Sequence, residues 1–242
     1  MRKLTICPPC IYAKEAFFMF DFFIKTVVDE YGDTTYLPTT AGYVALILIV
    51  AAILVIAVAL SNKKKKTVDT KQLVFCAVAM GLATVTSFMK VYSFPFGGSI
   101  TLLSMFFICL PGYWYGLKTG LMTAVAYGIL QLIVDPYVLY PAQLIVDYIC
   151  AFGALGLSGL FCQKKNGLIK GYLLGVCGRY VFAVISGWIF FGMYAWEGWA
   201  PLPYSLAYNA CYIFGEAAIT LVLIAIPAVS KGLMQVKKTA LQ

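Results

Sequence analysis

The segment AGYVALILIVAAILVIAVALS, residues 41–61, contains no charged side chain and is followed by Asn62 and the run KKKK at residues 63–66. A helix needs about 20 apolar residues to cross the roughly 30 Å hydrocarbon core of a bilayer. The segment therefore predicts a transmembrane helix. In the whole chain of 242 residues, 62% are hydrophobic and 12% are charged. This composition excludes an ordinary soluble domain and predicts an integral membrane protein.

Six further apolar segments follow, separated by short polar breaks. They cover residues 72–92, 100–117, 119–134, 142–161, 168–193 and 205–229. The predicted fold is therefore all-α, with one additional amino-terminal transmembrane helix at residues 41–62. A basic linker at residues 63–71 joins this helix to a six-helix membrane domain at residues 72–242.

Residues 1–40 precede the first span and contain the aromatic run EAFFMFDFFIKTVVDEYG. The acids Glu15 and Asp21 interrupt the run, and no small-residue cleavage site follows a basic start, so the segment does not match a signal peptide. We predict an interfacial helix on the outer membrane surface. The alternative is that the orientation of the first span is reversed.

The positions of lysine and arginine orient the chain, because short loops that carry them stay in the cytoplasm. Every second loop is basic, holding in turn Lys63–Lys66 with Lys71, then Lys118, then Lys164, Lys165 and Lys170, and finally Lys231, Lys237 and Lys238. The pattern predicts a multi-pass plasma-membrane protein with its amino terminus outside and its carboxyl terminus in the cytoplasm. The net charge of +8 is then mainly a topology signal, with some attraction to the lipid bilayer, and implies no nucleic-acid partner.

The outer loops are aromatic and carry glycine or proline. They read SFPFGGSIT (residues 93–101), VDPYVLYPAQ (134–143) and MYAWEGWAPLPY (193–204). Gly97 and Gly98 allow backbone conformations closed to other residues, so we predict that the first loop folds over a site or opens from it. An ordinary turn is the alternative. Aromatic residues at a helix end either anchor the protein in the headgroup layer, the commoner role for Trp196 and Trp199, or form a cage for a cationic ligand. We favour the cage.

Away from the ends of the predicted spans, three ionisable residues remain, namely Asp147, Arg179 and Glu216. An unpaired charge inside a membrane is costly and tends to mark function. Asp147, near the outer end of its helix and followed by Tyr148, is the best candidate to bind an amino-substituted ring or a cation. The alternative is a structural ion pair between Asp147 and Arg179. For Glu216, the expected role is a hydrogen-bonding group in the bundle interior without a ligand contact.

Motif searching mainly excludes classes of protein. The chain has no histidine, which rules out imidazole bases, His-ligated metal sites and Ser-His-Asp arrangements. It has no GxxxxGK[ST] run, so it cannot hydrolyse ATP through a phosphate-binding loop of its own. The pair Cys7 and Cys10, in CPPC, is a weak redox signal. We predict no catalytic residue, no cofactor and no metal. A small membrane enzyme or a stand-alone carrier stays as the alternative class.

The helix predicted at residues 72–92 carries small residues in CAVAMGLATVTS. Ala79 and Ala83 are four residues apart, as are Ala77 and Gly81. This spacing gives a flat face that a helix of a partner protein can approach closely. Packing within the same bundle accounts for the pattern equally well.

Residues 72–229 resemble the thiamine-specific S-component, the substrate-binding membrane subunit of energy-coupling factor (ECF) vitamin transporters. The matching motifs are FPFGGSIT, GLKTGLMTAVAYGILQ from Gly116, YPAQLIVDYICAFGALGLSG from Tyr140, RYVFAVISGWIFFGMYAWEGW from Arg179 and PYSLAYNACY from Pro203. Their shared order and spacing are more specific than any single motif.

The resemblance implies a six-helix bundle that binds thiamine with high affinity from outside. It also implies docking, through small-residue faces, on a membrane-embedded coupling subunit driven by two ATP-binding subunits. It assigns the aminopyrimidine of the ligand to Asp147 and Tyr148, and ring stacking to Phe191. The other implied contacts are Tyr127, Tyr204 and Asn209, with the loop of Gly97, Gly98 and Ser99 closing overhead.

One position departs from the family pattern. The family usually has a histidine four residues after the arginine of RYxxH, and this chain has Ala183 there. Either Phe182, Trp188 or Trp196 fills the space and thiamine still binds, or the site has shifted toward a thiamine precursor or a related aromatic cation.

Overall fold

The computed structural model describes residues 24–28, 34–41, 44, 69–162 and 164–242. The chain divides into two compact units, one of which comprises Thr67–Asp135 and Tyr140–Gln242. We call this unit the bundle. Apart from residues 41 and 44, the additional helix predicted at residues 41–62 lies outside the described residues, and so do the run KKKK and the CPPC motif.

The described part of the amino-terminal unit contains a β-hairpin. Strands β1 (Ile24–Val28) and β2 (Thr34–Pro38) pair antiparallel, with Ile24 opposite Pro38 and Val28 opposite Thr34. The predicted interfacial helix is therefore wrong for these residues. The sequences IKTVV and TTYLP are rich in β-branched residues, which favour an extended backbone.

Besides a basic helix at residues 227–241, six apolar helices of the described residues build the bundle. They are α1 (Thr70–Phe88), α2 (Ser104–Tyr115), α3 (Leu117–Val134), α4 (Ala142–Phe161), α5 (Gly167–Phe190) and α6 (Pro201–Ala225). All of these except α2 are long and apolar enough to cross a membrane. The predicted fold class, an all-helical multi-pass membrane protein, is confirmed.

Helix α2 is shorter than the span predicted at residues 100–117. Its 12 residues reach about 18 Å at about 1.5 Å per residue, which is too little to cross the hydrocarbon core. Its side chains are instead buried in protein, including Met105, Ile108 and Trp114. An apolar sequence facing protein and one facing lipid look alike, which is why the prediction was too long.

Two other predicted boundaries also move. The helix predicted at residues 72–92 ends at Phe88, and strand β3 (Lys90–Ser93) follows it. Helix α6 begins at Pro201, because proline is well tolerated in the first turn. It ends before Pro227, which starts a separate basic helix, α7 (Pro227–Leu241).

Helix α4 changes its winding along its length. Its first residue lies in a single α-turn at Pro141–Leu144, a π-helix follows over Ile145–Ala151, and a 3₁₀-helix over Ala154–Phe161 ends it. The carbonyl oxygen of Tyr148 in the π-helical stretch lies so close to Gly128 of α3 that a Cβ there would overlap with it. Wide π-helical turns are rare and are frequent at functional sites.

Glycines bring α2, α3 and α4 into backbone contact. A Cβ on Gly120 would lie 2.6 Å from the Cα of Gly112 and 2.7 Å from the carbonyl oxygen of Gly156. Close packing of small residues is a main source of helix association in a membrane. The tightest helix contacts of the described residues are therefore inside the bundle.

The small residues of α1 divide between two faces. Ala79 and Ala83 are buried, at 2% and 0% exposure, and α1 packs on α2. Ala79 and Ala83 therefore pack within the bundle, which was the alternative prediction. They are not available as a docking surface. Ala77 and Gly81 are exposed, and a Cβ on Gly81 would meet nothing within 4 Å.

Gly128→Ala should destabilise the bundle by about 1–3 kcal/mol, because the added methyl group meets a backbone carbonyl that cannot rotate away. The measurement is the apparent unfolding temperature of the purified protein in detergent. Gly81→Ala is the matched control and should be neutral or stabilising, since Ala favours a helix over Gly by about 1 kcal/mol. Equal effects of the two substitutions would contradict the close contact.

Candidate functional site

The aromatic residues and the acid predicted to bind a ligand gather at one end of the bundle. This end contains the start of α4 with Asp147, the start of α6 with Tyr204 and Asn209, and the end of α5. Lys237 lies at the other end, where its Nζ atom donates to the carbonyl oxygen of Cys162 (2.9 Å) and lies 3.7 Å from the centre of the Tyr113 ring.

Asp147 lies in the π-helical stretch, and two polar side chains, Gln143 and Ser186, lie beside its carboxylate. Gln143 Nε2, one turn earlier and 1% exposed, donates to Asp147 Oδ2 at 3.0 Å. Among the described residues Asp147 forms no ion pair. The guanidinium carbon of Arg179 lies instead 4.2 Å from the centre of the Phe152 ring. The ion pair weighed as the alternative is therefore not formed, and the carboxylate keeps capacity to accept further hydrogen bonds.

The hydroxyl group of Ser186 on α5 lies beside this carboxylate. Ser186 is 1% exposed, and its Oγ atom faces the Asp147 carboxylate without completing a hydrogen bond to any described group. Buried polar groups are nearly always paired, so an exception needs an explanation. A hydroxyl of this kind next to a carboxylate is suited to a ligand that brings both donors and acceptors.

The start of α6 presents a row of aromatic rings. Tyr204, Tyr208 and Tyr212 are spaced by four residues and so lie on one face of the helix. Their ring centres are 5.6 and 5.8 Å apart along the row. Trp196 extends the row, with its ring 5.3 Å from Tyr204 in an edge-to-face arrangement. We call these four residues the aromatic wall.

Asn209 is held at the contact between α5 and α6. Its Nδ2 atom donates to the carbonyl oxygen of Ser205 (2.8 Å), and its Oδ1 atom accepts from Tyr212 Oη (2.7 Å). A Cβ on Gly187 of α5 would lie 3.0 Å from Asn209 Nδ2. Helix α5 therefore contacts Asn209 through Gly187 and Asp147 through the preceding residue, Ser186.

A second β-hairpin covers residues 90–101. Strand β3 pairs antiparallel with β4 (Ser99–Thr101), and the tip is a 3₁₀ turn at Pro95–Gly97. Gly97 has φ of 92° and Gly98 has φ of −70°. The predicted need for unusual backbone angles thus holds for Gly97 and is wrong for Gly98. Gly98 is required by proximity, because a Cβ there would lie 2.6 Å from Tyr208 Oη.

The hairpin rests on aromatic side chains. The Phe96 ring stacks on Tyr194, with centres 4.2 Å apart and planes at 21°. The Gly98 N–H group donates to Tyr208 Oη at 2.9 Å, and this hydroxyl donates to the carbonyl oxygen of Pro95. The tip of the hairpin is therefore attached both to the loop before α6 and to the aromatic wall.

Glu216 of α6 fixes the other end of the hairpin. Its carboxyl group, 4% exposed, accepts hydrogen bonds from Thr101 Oγ1 (2.6 Å), Ser104 Oγ (3.1 Å) and the Met105 N–H group (2.9 Å). It satisfies donors at the start of α2 that have no partner within that helix. This is the hydrogen-bonding role expected from the sequence.

The remaining predicted contacts lie at different depths. Tyr148 stacks on Phe152, and Tyr127 also packs on Phe152 but donates its hydroxyl to the carbonyl oxygen of Ala83 (3.2 Å). The Phe152 ring therefore lies between Tyr127 and Tyr148, and contacts both. Phe191 ends α5, with its ring 6.2 Å from Tyr194.

The structure removes one of the side chains proposed to replace the family histidine at Ala183. Ala183 is buried at 8% exposure, whereas Trp188 is 52% exposed on another face of α5. Trp188 is thus directed away from the bundle interior and does not fill the space.

Among the described residues, no group of His, Cys, Asp and Glu side chains is arranged to hold a metal ion.

Sequence reasoning did not single out Gln143, Ser186 or Tyr208. Gln143 precedes Asp147 by four residues and Tyr208 follows Tyr204 by four, so helical spacing alone would have placed each beside a predicted residue. Ser186 gave no such signal, because a small polar residue in an apolar helix is common.

Comparisons with known proteins agree on one family. Residues 73–235 match the family model Thia_YuaJ, described as thiamine transporter protein. The thiamine transporter ThiT of Bacillus subtilis (strain 168) is 33% identical over 166 residues, covering 63% of this chain and 85% of that protein. ThiT of Lacticaseibacillus paracasei is 29% identical over 140 residues, covering 52% of this chain and 68% of that protein. Residues 1–72 lie outside the family match.

The structural comparison gives the same result. A solved structure of ThiT from Listeria monocytogenes matches with a TM-score of 0.59 at 25% identity, covering 67% of this chain and 96% of that chain. The resemblance stated from the sequence motifs is therefore confirmed. These relatives are named as transporters, which is not an enzymatic function.

Glu216→Ala should lower the free energy of unfolding by about 3 kcal/mol, because three buried donors lose their acceptor. Glu216→Gln keeps one carbonyl oxygen and should lose about half as much. The measurement is thermal unfolding in detergent, with Glu197→Ala, an exposed acid, as the neutral control. An alanine variant at position 216 as stable as the wild type would contradict the role given to this carboxyl group.

Proposed function

Because this chain belongs to the Thia_YuaJ family of thiamine transporter proteins, we propose that it binds thiamine with high affinity from outside the cell. It acts as the S-component of an ECF-type importer and performs no covalent chemistry. Uptake then depends on a membrane-embedded coupling subunit and two ATP-binding subunits.

The observation that carries the proposal is the Asp147 carboxylate beside the Ser186 hydroxyl. Asp147 has no cationic partner among the described residues, and the Ser186 Oγ atom has no hydrogen-bond partner there. Thiamine has an aminopyrimidine ring with N–H donors and ring-nitrogen acceptors. The carboxylate accepts from the amino group, and a hydrogen bond to a charged acceptor is stronger than one between neutral groups.

The thiazolium ring of thiamine carries a permanent positive charge and suits the aromatic residues. Aromatic faces attract a cation and stack on flat rings. Phe191 supplies the stacking, Tyr148 supports the pyrimidine, and Trp196 with Tyr204 bounds the site. Asn209 offers an amide at the same level, after exchanging one of its hydrogen bonds within α6 for one to the ligand.

The hairpin at residues 90–101 is the lid of this site. Gly97, Gly98 and Ser99 lie at or next to its tip, and the tip rests on the aromatic wall. Closing the lid removes water from the site and strengthens the electrostatic contacts inside it. We use the name lid for this hairpin below.

The amino terminus is outside and the carboxyl terminus is in the cytoplasm. Strand β4 and the short α2 together make one of the seven crossings that this orientation needs, since α2 follows the hairpin and ends where Tyr115 Oη donates to the carbonyl oxygen of Ala240 (3.1 Å). The orientation is supported by the separation of charges in the bundle, since Lys237 lies beside Cys162 at the end opposite to Asp147. Basic residues stay on the cytoplasmic side. The exposed face of α1 with Ala77 and Gly81 is the surface proposed to meet the coupling subunit.

Ala183 favours one variation of this proposal. A buried methyl group supplies no ring where the family usually has histidine, so the site offers one contact fewer. A thiamine precursor or another aromatic cation is then the second candidate ligand, bound by the same carboxylate and lid.

Asp147→Asn should weaken thiamine binding about 10- to 100-fold, since it replaces a charged acceptor by a neutral amide of the same shape. The measurement is a titration of intrinsic tryptophan fluorescence in detergent. Asp69→Asn is the matched control, because Asp69 caps α1 through the Lys71 N–H group (3.2 Å) and Asn caps equally well. A wild-type protein that responds only to a pyrimidine precursor would change the ligand. A wild-type protein that responds to neither compound would overturn the proposal.

Thiamine diphosphate should bind at least about tenfold more weakly than thiamine, because the site provides little positive charge for a phosphate group. The cation at the edge of the lid, Lys90, is already paired with Asp135 at 3.1 Å. The same fluorescence titration compares the two ligands. Equal affinities would contradict this prediction.

A further inference from the structure

We propose that Tyr208 is a positioning residue of this site: its hydroxyl group fastens the tip of the lid to α6 and so sets the rate at which the ligand leaves. The inference rests on the proposed function, and it adds a residue that acts through the lid and not through contact with the ligand.

One hydroxyl group joins both sides of the lid tip. The Gly98 N–H group donates to Tyr208 Oη at 2.9 Å, and the same hydroxyl donates to the carbonyl oxygen of Pro95. Pro95 and Gly98 lie on the two sides of the turn. Both partners are backbone groups, so the contact holds the path of the chain at the tip and does not depend on which side chains the tip carries.

The fit between Gly98 and the phenol ring is close. A Cβ on Gly98 would lie 2.6 Å from Tyr208 Oη and 3.0 Å from the ring atoms Cε1 and Cζ. The ring is also held from the sides, with Tyr204 at 5.6 Å and Tyr212 at 5.8 Å between centres. The hydroxyl is thus fixed in place before the lid meets it, and less entropy is lost when the contact forms.

The two ends of the lid differ in how easily they can separate from the bundle. At the base, Thr101 is buried and bonded to the buried Glu216, which also holds the start of α2. At the tip, the Tyr208 contacts are partly exposed to solvent. Opening the tip requires breaking the two Tyr208 hydrogen bonds and the stack of Phe96 on Tyr194, while the base stays attached.

The test measures thiamine association and dissociation rates by stopped-flow fluorescence on the full chain in detergent, comparing wild type with Tyr208→Phe. The variant keeps the ring and loses both hydrogen bonds to the lid. We expect the dissociation rate to rise about tenfold, with the association rate changing less than about twofold, since a net hydrogen bond corresponds to a factor of a few. In the ligand-free protein, hydrogen exchange of peptides covering residues 94–101 should become faster.

Tyr180→Phe is the matched control. The Tyr180 hydroxyl also donates to a backbone carbonyl, that of Leu206 in α6 at 3.1 Å, and neither residue belongs to the lid. This variant should keep the wild-type dissociation rate and the wild-type exchange of the lid peptides.

Gly98→Ala tests the same contact from the other side. The added methyl group displaces the Tyr208 hydroxyl, so dissociation should again accelerate. Adding Gly98→Ala to Tyr208→Phe should then change the rate less than the product of the two single effects, because both substitutions break one contact. Rates that multiply as independent effects would contradict the proposal.

The failures of the two proposals are distinguishable. Wild-type protein that binds thiamine, with unchanged dissociation and lid exchange in Tyr208→Phe, would overturn the fastening and leave the thiamine site intact. A slower association rate with unchanged dissociation would also overturn it, because that pattern indicates a direct ligand contact. If wild-type protein does not bind thiamine, the proposed function fails, and lid exchange alone decides whether Tyr208 holds the hairpin.

Discussion

The hydrogen bonds of the buried Glu216 carboxyl group join α6 to α2 and to the hairpin at residues 90–101. These elements build the end of the bundle where the proposed site lies. Helix α2 is too short to cross the membrane, so its first N–H groups lie inside the bundle, where no water can satisfy them. Glu216 accepts from the Met105 N–H group and from Ser104, and it also binds Thr101 at the end of the lid. One carboxyl group thus closes the end of a helix, holds the base of a hairpin and attaches both to α6.

Much of the bundle could be predicted from hydropathy alone. The spans predicted at residues 119–134 and 142–161 agree closely with α3 and α4, because uninterrupted apolar runs have few other ways to exist in a bilayer. The length of α2 could not be predicted, since a run buried in protein and a run facing lipid have the same composition. The π-helical turn at Asp147 depends on the missing side chain of Gly128, a contact between helices that no local pattern indicates.

Candidate site residues could be predicted where a polar side chain interrupts an apolar segment. Asp147 and Asn209 were recognised because a charge or an amide in a membrane segment requires a partner. The spacing of Ala77, Ala79, Gly81 and Ala83 gave two faces of α1 but not which of them points inward. Gly98 was predicted for a reason that is wrong, since its backbone angles are ordinary. Its closeness to Tyr208 becomes visible only in three dimensions.

Helix α6 runs unbroken for 25 residues and carries Tyr208, Asn209 and Glu216, while its far end turns at Ile226 into the basic helix α7. Helix α6 contacts the hairpin at residues 90–101 through Tyr208 and Glu216. A tilt of the helix at Ile226 would therefore move both contacts. Thermodynamic reciprocity then applies: a binding event near Ile226 that changes ligand affinity by some factor is itself changed by the ligand by the same factor. In the proposed function, ligand binding and contacts at the far surface of the bundle are therefore coupled through the position of α6.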